Sequence, residues 1–183
     1  QSLPTAITNN GTVAFNQPTG DNGTYAGAII GSGSLWINNP SSANYTGSVT
    51  LTGANTYSGG TTVSGGSLIG DSSSLQGAIT NNAAVTFNQG SAGTYIGVMS
   101  GTGSLTKLGV GALTLTGANT YRGGTTVSAG SLIGDTSSLQ GTIVNNAAVT
   151  FDQGANGTYS GTMSGTGSLT KQGSGVLLLS AAN

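Results

Sequence analysis

Hydrophobic and polar positions alternate along this chain in short runs, and two internal copies show which of them face inward. Residues 67–119 align with residues 131–183, and the substitutions between them include Ile96 to Ser160, Val110 to Ser174 and Thr114 to Leu178, all at even-numbered positions. The hydrophobic residues between these positions are unchanged: Ile79, Val85, Phe87, Tyr95, Met99, Leu105, Leu113 and Leu115. Since successive side chains of a strand point to opposite faces, the pattern predicts β-strands with packed odd-numbered residues and solvent-facing even-numbered ones.

The same alignment defines the period of the repeat. The segments SLIGD, NNAAVTF and GTGSLTK begin at residues 67, 81 and 101 and return at residues 131, 145 and 165, in each case 64 positions later. A degenerate copy occupies residues 1–66, a full copy residues 67–130, and a truncated copy residues 131–183. We therefore expect residues 1–183 to form a single β-helical unit cut from a longer array.

This period is too long for one coil of a solenoid, but it divides into three coils of about 21 residues. The nearly even spacing of Val85, Leu105 and Val127 is consistent with this division. Short strands joined by corners rich in Gly and Asn favour an all-β, parallel β-helix of about nine coils. Paired asparagines such as Asn81 and Asn82 are expected at the corners, because Asn tolerates a positive φ and its side chain can hydrogen-bond to its own backbone.

Composition excludes several functions. Of 183 residues, 34 are Gly, three are Lys or Arg, four are Asp or Glu, and none is His or Cys. Nucleic-acid binding needs clustered Lys and Arg, so we expect no nucleic-acid partner. No uninterrupted apolar stretch approaches the roughly 18 residues of a transmembrane helix. The alternating Thr, Val and Ile residues argue against disorder, so the sequence predicts an ordered, nearly uncharged β-protein.

The stretch from residue 101 to residue 132 reads GTGSLTKLGVGALTLTGANTYRGGTTVSAGSL. It resembles the passenger-associated transport repeat of bacterial autotransporter proteins. Residues 165–183 match again with Ala181 at a glycine position, whereas residues 31–68 replace the Lys-Gly-Gly segment with WINNPSSANYTGSV. The structural repeat-motif residues are Leu105, Lys107, Gly109, Gly111, Leu113, Leu115, Asn119, Tyr121, Gly123, Gly124, Val127 and, in the last copy, Lys171.

The resemblance implies a fold, a partner and a location. In this family such a segment belongs to a secreted passenger that folds as a right-handed parallel β-helix. The passenger is attached to a C-terminal β-barrel of the parent chain in the outer membrane of a Gram-negative bacterium. The resemblance thus implies a protein at the cell surface, or secreted from it. A chain nearly free of charge and cysteine is suited to crossing a pore unfolded and then gaining free energy coil by coil.

Candidate chemistry is sparse. General acid–base catalysis needs tuned, clustered titratable groups, and the four aspartates are scattered, so we expect no catalytic, metal or cofactor site and no small-molecule substrate. Lys107 and Lys171 fall on the packed side, and we expect each to lie at a corner with its stem over the core and its ammonium in solvent. Trp36 occurs once, in the degenerate copy, and is the candidate for an exposed contact.

The sequence therefore predicts a mechanical function. We expect a β-helical stalk without enzymatic activity that supports its own translocation and displays adhesive or effector regions. The alternative is an adhesin-type binding module whose side contacts host glycans, matrix or sister molecules, which a nonrepeating exposed patch would favour. Unpaired strand edges at the two ends also predict end-to-end stacking of this chain.

Overall fold

The computed structural model describes residues 3–39 and 44–181, which form a parallel β-solenoid of 22 short strands. Nowhere in these residues is there a helix long and apolar enough to cross a membrane. In chain order the strands are β1 (Ala6–Thr8), β2 (Thr12–Phe15), β3 (Asn22–Tyr25), β4 (Ala28–Ile30), β5 (Ser34–Ile37), β6 (Ser48–Leu51), β7 (Thr61–Val63), β8 (Ser67–Gly70), β9 (Ile79–Asn81), β10 (Ala84–Asn88), β11 (Gly93–Tyr95), β12 (Met99–Ser100), β13 (Ser104–Leu108), β14 (Ala112–Leu115), β15 (Thr125–Val127), β16 (Ser131–Gly134), β17 (Ile143–Asn145), β18 (Ala148–Asp152), β19 (Gly157–Tyr159), β20 (Met163–Ser164), β21 (Ser168–Gln172) and β22 (Leu177–Leu179).

The strands stack into three faces that the chain visits in turn. Face 1 is an eight-stranded sheet in the order β3-β6-β8-β10-β13-β15-β17-β20. Face 2 contains the pair β1-β4 and the sheet β11-β14-β16-β18-β21, and face 3 contains the sheet β2-β5-β7-β9-β12 and the pair β19-β22. Irregular segments continue the stacks, as where Thr56 N donates to Ile29 O (2.9 Å) and Thr120 N donates to Met99 O (2.8 Å). The predicted parallel β-helix is confirmed, with about eight turns where about nine were expected.

The predicted alternation of packed and exposed positions is confirmed as well. The eight hydrophobic residues that stay unchanged between the copies are each at most 2% exposed, whereas Ile96 is 76% and Val110 84% exposed. Inward side chains stack from coil to coil, and each aliphatic side chain so buried contributes about 1.5–3 kcal/mol. Outward positions form columns of small uncharged side chains, such as the register partners Thr86, Thr106 and Thr126.

The sequence period is not a whole number of turns. Leu68, Val85, Leu105 and Thr125 are successive register partners on face 1, so three turns carry the chain from residue 68 to residue 125. The copy of Leu68 is Leu132, and the segment between residues 125 and 132 carries the chain onto the next face. Accordingly, β8 lies on face 1 and its copy β16 lies on face 2. The expected division into three coils per repeat is therefore wrong: each repeat makes about three and a third turns, which at ~4.8 Å per coil rotates its copy by about 120° and shifts it by about 16 Å.

The paired asparagines lie at corners, as predicted, and of the two expected reasons the side-chain hydrogen bonds are confirmed, whereas a positive φ is not found at these residues. Asn81 is 0% exposed; its Nδ2 donates to Ser104 O (2.8 Å), and its Oδ1 accepts from Ala83 N (3.1 Å). The positive φ belongs to the glycine of the next coil, Gly101 (103°), where a Cβ would collide with Asn81 O. Among the described residues Asn38 is the single non-glycine with a positive φ, at 54°.

Candidate functional site at the buried corners

Lys107 has the most unusual environment in the solenoid. Its side chain is 0% exposed, and its Nζ donates to Leu108 O (2.8 Å), Gly109 O (2.8 Å) and Ala129 O (3.1 Å). An ammonium group has three N–H donors, so each has one carbonyl acceptor. The expectation that this ammonium reaches solvent is wrong, because the following coil covers it with the carbonyl of Ala129.

Local sequence explains how this corner forms. Lys107 occupies an inward position of β13, between its register partners Phe87 in the preceding coil and Val127 in the following one. Gly109 has a φ of 76° and Gly130 a φ of 67°, which L-residues with a Cβ rarely adopt. A Cβ at residue 130 would lie 2.9 Å from Lys107 Nζ and 2.6 Å from Gly109 O. Glycine at position 130 is therefore needed both for the turn and for room above the ammonium.

Burial lowers the pKa of the Lys107 amine below its usual 10.5, because desolvation penalises the charged form. The three carbonyl oxygens act in the opposite direction, since each accepts a hydrogen bond from the charged group. These partners are backbone dipoles rather than a carboxylate. The lysine thus ties its own corner (residues 108 and 109) to the next coil (residue 129) through a buried charge.

In the degenerate copy an asparagine makes the bond to the following coil that Lys107 makes here. Asn38 is 1% exposed; its Nδ2 donates to Gly47 O (2.7 Å) and to Gly65 O (3.0 Å), and its Oδ1 accepts from Gln17 N (2.8 Å). Gly65 is the residue equivalent to Ala129, one period earlier. A Cβ at Gly66, the equivalent of Gly130, would lie 2.6 Å from Asn38 Nδ2. Sequence reasoning missed Asn38, because it falls in the segment that departs from the repeat.

The asparagine of the repeat motif, Asn119, forms hydrogen bonds with the coils on both sides of its own. Asn119 is 1% exposed; its Oδ1 accepts from Met99 N (2.7 Å) in the coil below, and its Nδ2 donates to Ser138 O (2.9 Å) in the coil above. Asn55, one period earlier, makes the equivalent bonds with Ile29 N (2.8 Å) and Ser74 O (2.6 Å). These amides replace the strand ladder at positions where face 2 or face 3 is irregular. Asn55 and Asn119 are therefore structural residues, since each of these hydrogen bonds joins the side-chain amide to a backbone group of the same rod.

The other motif residues separate into core and corner positions. Leu105, Leu113, Leu115 and Val127 are at most 1% exposed, and Tyr121 is 5% exposed. The hydroxyls of Tyr121 and Thr125 share a hydrogen bond of 2.6 Å. Gly124 has a φ of 78°, and a Cβ at Gly111 or Gly123 would collide with the backbone of the coil below. Trp36 lies on the outward side of β5 between Ala14 and Thr62 and is 37% exposed.

The aspartates of the SLIGD segments shape turns. Asp135 Oδ1 accepts from Ser137 N (2.9 Å), Ser137 Oγ (2.6 Å) and Ser138 N (2.9 Å). Partial burial by itself raises the pKa of Asp135, but these hydrogen bonds outweigh it and hold the pKa below its usual 3.8. Asp71 makes the same three bonds in the preceding copy. Each carboxylate is therefore engaged with its own loop.

Three parts of the chain match a known family of repeats. The family model described as Passenger-associated-transport-repeat matches residues 43–69, 105–133 and 169–183. The match at 105–133 contains both Lys107 and the Ala129-Gly130 turn that covers it. Three stretches of this chain are therefore similar to passenger-associated transport repeats. The resemblance to autotransporter passengers is thereby confirmed, and it implies secretion to the cell surface of a Gram-negative bacterium.

Part of the chain is also similar to a curated protein. Over 55 residues the chain is 47% identical to the protein named Adhesin BmaC autotransporter from Brucella suis biovar 1 (strain 1330). The alignment covers 28% of this chain and 2% of that protein, so the chain spans only a small part of its length. No solved structure matches the chain.

Proposed function

We propose that this segment is a structural spacer of an autotransporter passenger and that it acts mechanically, not as an enzyme. It holds adhesive or effector regions of the parent protein away from the bacterial surface. It also supports its own translocation by folding outside the cell. The observation that carries the proposal is the continuous stack of parallel coils, in which the buried side chains of Lys107, Asn119 and Asn38 each donate to a carbonyl of the next coil.

Such a stack suits a load-bearing rod. Backbone hydrogen bonds join the coils along the axis, and the buried donors add bonds at corners where the strand ladder is interrupted. Since each coil contacts only its neighbours, the stability of the rod grows with each coil added. A chain that leaves the cell unfolded therefore gains free energy outside with every coil, which favours continued export.

The outer surface supports a spacer over a binding face. A shallow depression lined by Thr50, Thr52, Ile69 and Asp71 recurs one period later with Thr114, Thr116, Ile133 and Asp135. The two copies lie at different corners of the rod, because each repeat ends about a third of a turn from where it began. A surface feature carried by the repeat is thus distributed around the axis, whereas a one-sided binding surface needs its features aligned.

Two deletions in the parent protein test the proposal. Removing residues 67–130 deletes one period, restores the native Gly-Ser junction and rotates everything beyond it by about a third of a turn. Removing residues 68–124 deletes three whole turns and keeps the remaining faces aligned, because Leu68 and Thr125 occupy the same place on face 1. The measurements are surface display and adhesion per displayed molecule.

A spacer predicts that the two deletions behave alike: either display falls in both, or display and adhesion change only as a shorter rod requires. Normal display with adhesion lost in both variants means that the deleted coils form the binding surface, which contradicts the proposal. Adhesion lost only in the 67–130 deletion means that binding needs faces aligned across the repeat, which contradicts it equally.

A binding module is the second candidate, because the surface has features that occur in one copy only. Trp36 is 37% exposed, and Ile96 and Val98 are 76% and 43% exposed where the next copy has Ser160 and Thr162. Replacing Trp36 by Thr, the type of its outward neighbour Thr62, leaves the strand intact. A binding module predicts normal display and reduced adhesion for this variant, whereas a spacer predicts that neither changes.

A further inference from the structure

The strands of this solenoid are nearly interchangeable, which leaves their register weakly defined by packing. Successive strands on face 1 include Leu68-Ile69, Val85-Thr86 and Leu105-Thr106 at matching positions. A slip by one residue exchanges the inward and outward sides and is strongly disfavoured. A slip by two residues keeps every hydrophobic side chain inside, so the alternation that defines the core does not prevent it.

The buried corner donors distinguish these registers. Lys107 reaches Ala129 O in the following coil at 3.1 Å, and Asn38 reaches Gly65 O in its following coil at 3.0 Å. Residues 65 and 129 are equivalent, being one period apart. Two donors of different chemistry and length therefore bond the same carbonyl position of the repeat, although the lysine itself is absent from the first copy.

We propose that Lys107 and Asn38 are register-selecting residues, each of which admits the following coil only when residue 129 or residue 65 brings its carbonyl onto the buried donor. A slip by two residues moves that carbonyl by about 6.6 Å along the strand, out of hydrogen-bond range. The donor then keeps the acceptors of its own coil but loses the carbonyl of the following one, which leaves one N–H of the buried ammonium or amide without an acceptor and disfavours the wrong register. This role concerns how the coils assemble and does not depend on what the rod does at the cell surface.

Engineered disulfides measure the register directly, because the chain has no cysteine. Thr106 and Thr126 are register partners on the outward side of face 1, so the pair T106C/T126C bridges in the native register. The pair T106C/S128C is about 8 Å apart in that register, beyond the span of a disulfide, and bridges only after a two-residue slip. Both pairs are introduced into the wild-type chain and into the Lys107→Met variant, which fills similar space without a donor. Leu105→Met, a volume-conserving change at a buried neighbour, is the matched control.

Each protein is unfolded in denaturant, refolded and oxidised, and the cross-linked peptides are quantified. We expect the slipped pair to cross-link at least fivefold more in Lys107→Met than in Leu105→Met, with a matching loss of the native cross-link. Equal yields of the slipped cross-link in the two variants overturn the proposal, because the loss of the donor then changes only stability.

The Asn38 corner provides a second test, which also serves if Lys107→Met fails to refold. Asn38 has a φ of 54°, so Asn38→Gly removes the donor and keeps the backbone conformation. Trp36 and Thr62 are register partners, and the slipped pair is W36C/S64C. A fivefold rise of that cross-link in Asn38→Gly supports the proposal, and an unchanged yield relative to the same cysteine pair with Asn38 intact contradicts it.

Discussion

Lys107 and Lys171 end the same segment, GTGSLTK, yet their environments are opposite. Lys107 is 0% exposed and donates to three carbonyls, whereas Lys171 is exposed and donates to Gly173 O (2.7 Å). The leucines two positions earlier differ likewise, with Leu105 0% and Leu169 41% exposed. Ala129 of the following coil covers Lys107, whereas Lys171 lies on β21, whose one partner among the described strands is β18 of the preceding coil. Burial in this rod is therefore a property that a coil receives from its neighbour, not one that its own sequence provides.

Removing the two lysines is the strongest way to test this comparison. In Lys107→Ala three carbonyls lose their donor and a cavity remains, so we expect the free energy of unfolding to fall by about 3–4 kcal/mol. Lys171→Ala changes an exposed side chain, and we expect a change of at most about 0.5 kcal/mol. Urea unfolding followed by circular dichroism measures both variants. A similar loss in both would show that the following coil adds nothing to the lysine.

Two glycines of the same backbone conformation test how closely the turn at residues 129 and 130 packs over Lys107. Gly130 has a φ of 67° and Gly141 a φ of 68°, but a Cβ at 130 meets Lys107 Nζ at 2.9 Å, whereas a Cβ at 141 meets no atom within 4 Å. We expect Gly141→Ala to cost about 1 kcal/mol for its φ alone, and Gly130→Ala about 3 kcal/mol, because crowding over the ammonium is added. The same unfolding experiment compares them, and equal losses would mean that the ammonium moves aside freely.

Alkaline pH tests the burial of two tyrosines in these coils without a substitution. Burial raises the pKa of Tyr121 to about 12, which the hydrogen bond with Thr125 and the charge of Tyr159 modify, and burial raises the pKa of Tyr159 to about 12. Between pH 10 and pH 12 the unfolded chain loses these protons and the folded chain keeps them, so stability is complete below pH 10 and falls as the pH rises. We expect a loss of about 1.4 kcal/mol per tyrosine at pH 11.

Tyr121→Phe isolates one of these groups. The lowered pKa of Lys107 acts with the opposite sign, since it lets stability rise with pH up to about 10.5. This contribution is the same with and without Tyr121, so it cancels when the two proteins are compared at each pH. We expect the decline between pH 9 and pH 11 to be about 1.4 kcal/mol smaller in Tyr121→Phe. Parallel declines in the two proteins would show that Tyr121 ionises as readily folded as unfolded.

Much of the fold could be predicted because the copies vary where packing permits variation. Substitutions such as Ile96 to Ser160 revealed the outward side, and unchanged residues such as Val85 and Leu113 revealed the core. The number of turns per repeat could not be predicted in the same way. Consecutive strands resemble one another so closely that the sequence period does not report the length of a coil, which is much shorter between Leu68 and Val85 than between Thr24 and Thr50.

The corner donors show a different limit. The alternation placed Lys107 on the inward side, but a lone lysine is rarely buried, and the carbonyl that covers it belongs to Ala129 in the next coil. Every residue has a backbone carbonyl, so the acceptors of a buried lysine cannot be recognised from residue types. A lysine without an acidic partner in the sequence is therefore predicted to lie at the surface. Asn38 was harder still, because repetition was the signal that identified the other motif residues. It lies one position after Ile37, which pairs with Val63 as Lys107 pairs with Val127.

Because a repeat ends about a third of a turn from where it began, the number of repeats in such a rod sets an angle. A gene that gains or loses one copy keeps its reading frame and the residues at the junction. Everything beyond that point nevertheless faces a new direction around the axis. Three copies, or about ten coils, restore the first direction. Copy number can therefore aim the far end of the rod toward a different side without changing any residue of that end.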